Sequence, residues 1–131
     1  MSSGRRRYLA SYHDCVPRNG VPDGKQLPLK LSDGGTVQVV VGNVGNEDAS
    51  VVVATDLDVA APAVLLNGAR PIGAAQRIAG AVRYGHTPKA VWRIPFVRGA
   101  VRKGRNAIVI EPCAVAAKLV WCEVEVGEKI F

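Results

Sequence analysis

Twenty-one valines run through a 131-residue chain that 14 glycines and 8 prolines keep interrupting, which leaves little room for long helices. Valine is stiff at its branched β-carbon and packs well on a pleated surface, while Gly and Pro cut a chain into short elements. Short β-branched runs separated by turn residues are the pattern of an antiparallel sandwich or barrel. The length suits one domain around a single modest core.

Thr36 to Val41 puts Val37, Val39 and Val41 on one face, the period of two that marks a half-buried strand. Ala49 to Val59 reads as a longer strand with Val51, Val53, Thr55, Leu57 and Val59 together, and Asp56 and Asp58 on the opposite face. Leu27, Leu29 and Leu31 alternate ahead of Asp33-Gly34-Gly35, which predicts a hairpin turn, and Pro28 marks an edge. Ala63 to Leu66 ends in Asn67-Gly68, a strong tight-turn signal. In Ala90 to Val97, Trp92, Ile94 and Phe96 share one side. Ala107 to Ile110 and Leu119 to Val126 complete the set. In the last strand, Val120, Cys122, Val124 and Val126 are expected to face the core, leaving Trp121, Glu123 and Glu125 outside.

The expected fold is an all-β, antiparallel, jelly-roll-like β-sandwich of seven or eight strands over residues 25–131. An irregular N-terminal arm over residues 1–24 precedes it, rich in turn pairs such as Asn19-Gly20 and Asp23-Gly24. Gly73 to Tyr84 is ambiguous. Ala75, Ile78, Ala79 and Val82 fit one helical face, so a short helix near 74–84 and an extended loop with one helical turn both stand.

Charge is unevenly placed. The formal net charge is +6, yet no acid occurs between Val59 and Ile110 while nine bases do: Arg70, Arg77, Arg83, Lys89, Arg93, Arg98, Arg102, Lys103 and Arg105. Such asymmetry fits an anionic partner if the side chains converge, and plain solvation if they disperse. No apolar run reaches bilayer-spanning length and none follows Arg5-Arg6-Arg7, so neither a membrane partner nor a secretory signal is read, and a cytoplasmic location is expected.

The chemistry of catalysis is thinly represented. Cys15, Cys113 and Cys122 lack metal-type spacing, and reduced thiols are expected, with a Cys113–Cys122 bridge as the alternative. His13-Asp14-Cys15 has the residue types of an activated thiol, but such units are assembled in space rather than from sequence neighbours. With His13 and His86 the two histidines, and no phosphate loop, no cofactor is expected. Asp56 and Asp58 are the nearest thing to a Ca²⁺ ligand pair, and a solvated strand face accounts for them as well.

Leu65-Leu66-Asn67-Gly68, then Trp92-Arg93-Ile94-Pro95-Phe96, then Arg102-Lys103-Gly104-Arg105-Asn106-Ala107-Ile108-Val109-Ile110, and finally Trp121-Cys122-Glu123-Val124-Glu125-Val126 follow a familiar order. The chain thereby resembles the galactose-binding-like jelly-roll domains appended to bacterial glycoside hydrolases. That resemblance implies a structural role for these motifs and a module that binds carbohydrate rather than an enzyme, and the acid-free basic block admits an anionic glycan as its ligand. Arg70, Tyr84, His86, Arg93 and Trp121 are the candidate contacts, Trp121 because an outward ring could stack on a sugar. A nucleic-acid-binding or capsid-like β protein using the basic block is the second reading, and a structural domain that self-associates into a homo-oligomer is the third.

Overall fold

The computed structural model describes residues 6–9, 29–42, 48–78 and 89–127. Within them the chain forms nine strands: β1 (Arg6–Leu9), β2 (Leu29–Lys30), β3 (Gly35–Val41), β4 (Asp48–Thr55), β5 (Val64–Leu66), β6 (Gln76–Arg77), β7 (Ala90–Phe96), β8 (Gly104–Ile110) and β9 (Lys118–Gly127). A six-stranded sheet runs β1-β9-β4-β7-β6, with β2 also paired to β9, and a three-stranded sheet runs β3-β8-β5. Every pairing among them is antiparallel.

The two sheets share one core, as a β-sandwich requires. Val37, Val39 and Val41 from β3 and Ile108 and Ile110 from β8 meet Val51 and Val53 from β4, Ile94 and Phe96 from β7, and Cys122, Val124 and Val126 from β9. This is the alternation expected of these segments. Trp92 packs against the same cluster, half-buried, on the side of Ile94 and Phe96.

The central strands β4 and β9 are buried on both faces. Val52, Ala54, Val91 and Trp121 form a second apolar cluster on the outward side of the large sheet, joined by Ile78 and Val120. Val120 is therefore not in the main core, contrary to the simple alternation. The pairing shifts register between Ala54, opposite Trp121, and Thr55, opposite Leu119. The β-bulge spends one extra residue there, so Leu119 and Cys122 both face inward while Val120 and Trp121 both face outward.

Several boundaries differ from the sequence expectation. Leu31 to Asp33 does turn, with the N–H groups of Asp33 and Gly34 donating to the Lys30 carbonyl (both 3.1 Å). It makes no hairpin: β2 pairs with β9 in one sheet and β3 with β8 in the other, so the turn carries the chain between sheets. β4 stops at Thr55 rather than Val59, and Leu57 is exposed. Gln76–Arg77 is a strand paired with β7, not part of a helix, and Ala75 and Ile78 reach different apolar clusters, as extended backbone demands. Residues 79–84 of that ambiguous stretch lie outside the described residues. Arg6–Leu9, expected to be irregular, pairs with β9, and Tyr8 packs against the main core. No helix among the described residues is long and apolar enough to cross a membrane.

Cys113 and Cys122 are free thiols, so the alternative bridge does not form. Burial first, and then the neighbouring Glu123, push the Cys122 thiol well above its ordinary value of 9.0. In the unfolded chain the thiol ionises above that value while the folded chain holds its proton. Its stabilising contribution is complete below pH 9 and is lost as pH rises further, by about 1.4 kcal/mol per pH unit. Urea unfolding from pH 8 to 11 should show that additional loss in the wild type relative to Cys122→Val; parallel curves would contradict it.

Candidate functional site

The tight turn after β5 sets up the site. Asn67 and Gly68 both have positive φ (50° and 86°), and Leu66 and Ala69 exchange N–H···O=C bonds of 3.0 and 2.9 Å across the turn. Asn and Gly tolerate this left-handed conformation, which a two-residue reversal of this hand needs. The Asn67 side chain is also a bracket. Its Nδ2 donates to the Ala100 carbonyl and to Asn106 Oδ1 (both 2.8 Å), and its Oδ1 accepts from the Ala107 N–H (2.9 Å).

Asn106, fully buried, continues the network. Its Oδ1 accepts from the Arg102 N–H (2.7 Å), and its Nδ2 donates to the carbonyls of Arg102 (2.8 Å) and Gly104 (3.0 Å). The Leu65-Leu66-Asn67-Gly68 and Lys103-Gly104-Arg105-Asn106 motifs, 39 residues apart at their asparagines, thus clamp each other and the β7–β8 connection.

Past the turn, the chain places Arg70 on the wall of a cleft of about 190 Å³. Val64 and Leu65 from the small sheet, Ile94 from the large one, and Pro62 and Pro71 supply apolar walls, and Glu111 lines the cleft as well. Glu111 is positioned by its own N–H, which donates to the Ala63 carbonyl (2.9 Å). Arg70 and Glu111 make no ion pair with each other or with another described residue. One cleft therefore presents a cation, a carboxylate and hydrocarbon, the composition that orients a small polar ligand.

Arg93 and Trp121 do not line the cleft with Arg70. Arg93 lies on the outward face of the large sheet, held by Glu125 through its Nε (2.9 Å) and Nη2 (3.4 Å). Trp121 does face outward, but its ring is covered, with 2% of the residue exposed. It donates its indole N–H to Glu123 Oε1 (2.7 Å), and Glu123 is itself completely buried. A solvent-facing stacking platform is thus absent at Trp121. Tyr84 and His86 lie outside the described residues.

Three members of the basic block are committed to acids. Arg77 pairs with Asp58 (2.7 Å), Arg93 with Glu125 (2.9 Å) and Arg98 with Asp48 (3.0 Å), three acids drawn from outside the acid-free stretch. Arg77 also lies over the Trp92 ring, 5.8 Å from its centroid, while the Trp92 indole N–H donates to the Val59 carbonyl (3.3 Å). Asp56 accepts from the Lys118 N–H (2.7 Å) and Asp58 pairs with Arg77, so the two aspartates of the expected strand-face pair take different partners. No group of three or more His, Cys, Asp or Glu able to hold a metal occurs among the described residues.

No protein-family model matches the chain, and no curated protein sequence matches it. Glu111 is the residue that sequence reasoning missed. Its signal was positional: it is the first acid after the acid-free block, and the pairing of β5 with β8 carries it to the cleft that Arg70 also lines.

Proposed function

We propose that this chain is a non-catalytic carbohydrate-binding module with jelly-roll connectivity, using the cleft between Arg70 and Glu111. The observation that carries the reading is an uncommitted cation and carboxylate facing one cleft with apolar walls. Sugars need this combination: hydroxyls exchange hydrogen bonds with charged groups, and the C–H faces of the ring pack on hydrocarbon. The mutual clamp of the Asn67 and Asn106 motifs supports it by fixing the turn that delivers Arg70, so little ordering is left for the ligand to impose. Reading the basic block as a nucleic-acid surface is weakened by the acid partners of Arg77, Arg93 and Arg98.

A glycan array run beside a DNA and RNA mobility shift titrated with salt tests the proposal. Retention of a defined set of glycans is expected, falling about tenfold or more in Glu111→Ala, since a hydrogen bond to a charged group contributes roughly 1.5–3 kcal/mol. Silence on glycans together with steep, salt-sensitive nucleic-acid binding would overturn it.

A further inference from the structure

Resting on that reading of the cleft, we infer that its ligand is an acidic sugar, a single uronic acid residue whose carboxylate is taken by Arg70. Arg70 belongs to a stretch with no acid from Val59 to Ile110, and among the described residues no carboxylate neutralises it. Three other arginines of that stretch have each found one. An exposed guanidinium left uncommitted at the rim of a cleft offers a planar fork that matches a carboxylate in two parallel hydrogen bonds.

Glu111, less exposed than Arg70, supplies the complementary half. A carboxylate accepts and does not donate, so it selects a ligand that presents hydroxyl or ammonium donors on the side away from its acid group. A uronic acid has both ends on one ring: the acid on C5 and hydroxyls across it. The cleft, at about 190 Å³, is smaller than the roughly 300–1,000 Å³ typical of drug-sized ligand sites. It suits one ring rather than an extended chain. Pro62, Leu65, Pro71 and Ile94 give that ring hydrocarbon to pack on.

Calorimetric titration of the full chain with methyl glucuronoside and methyl galacturonoside, against the matching neutral methyl glycosides and acetate, decides the matter. The acidic glycoside should bind about tenfold more tightly than its neutral counterpart at low salt, a margin that shrinks as ionic strength rises. In Arg70→Gln the two should bind alike, with thermal unfolding unchanged because Arg70 is exposed. Neutral glycosides binding as well as acidic ones to the wild type would overturn the acidic-sugar inference and leave the carbohydrate reading standing. Acetate binding as well as the acidic glycosides would overturn it in favour of a plain anion site. No binding by any glycoside would overturn both.

Discussion

Asn106→Ala should be among the most damaging single substitutions in this chain, lowering stability by about 3–5 kcal/mol. The side chain is fully buried and satisfies the Arg102 N–H, the carbonyls of Arg102 and Gly104, and one donor of Asn67. Each buried polar group left without a partner costs roughly 1–3 kcal/mol, although relaxation of the loop recovers part of that. Thermal unfolding should fall by on the order of 10 °C. Lys103→Ala, in the same connection but exposed, should change stability by no more than about 0.5 kcal/mol. A loss below about 1 kcal/mol in Asn106→Ala would show that the β7–β8 connection holds its shape without the clamp.

Gly34→Ala should be of similar severity for a different reason. Gly34 has φ +66°, and a Cβ built there would lie 2.6 Å from the Ile110 carbonyl oxygen and 2.8 Å from the Pro112 nitrogen. Both are backbone atoms in a segment tied down on either side, by Glu111 N–H to Ala63 and Cys113 N–H to Leu31. They have little freedom to retreat. Gly99 also has positive φ (+86°) but nothing within 4 Å of its notional Cβ. Gly99→Ala should therefore cost roughly the 1–2 kcal/mol of left-handed backbone alone, and Gly34→Ala about 3 kcal/mol or more. Equal denaturation midpoints for the two variants would show that the sheet-to-sheet turn tolerates displacement.

These two sites show how far the chain's pattern could be read unaided. Alternation identified β3, β7 and β8, because each of these strands turns one face to the main core. Asn67-Gly68 identified its turn, because backbone conformation there is dictated locally. Asp33-Gly34-Gly35 identified a turn but not its role. Which sheet a strand joins depends on partners distant in sequence, here β9 for β2 and β8 for β3. The bulge opposite Ala54 was equally invisible, because one extra residue reverses the facing of everything before it without altering composition. Trp121 and Glu123 were placed on the correct face, but a period of two reports facing and not what covers the face.

The same distinction governs the site. Arg70 stood out as a base in an acid-free stretch, whereas Glu111 is joined to it through strand pairing that no local signal announces. The basic block read as one feature along the chain. In space, Asp48, Asp58 and Glu125 reach into it from other strands and loops and neutralise three of its members.

The central claim is that the cleft between Arg70 and Glu111 binds sugar. Its most direct test is an amide chemical-shift map of the isotopically labelled chain during titration with acidic and neutral oligosaccharides. Saturable shifts concentrated at Ala63–Leu65, Arg70, Gly73 and Glu111, with Arg102, Lys103 and the outward face around Trp121 unmoved, are the predicted result. Saturable shifts centred away from the cleft, or none at millimolar sugar, would contradict it.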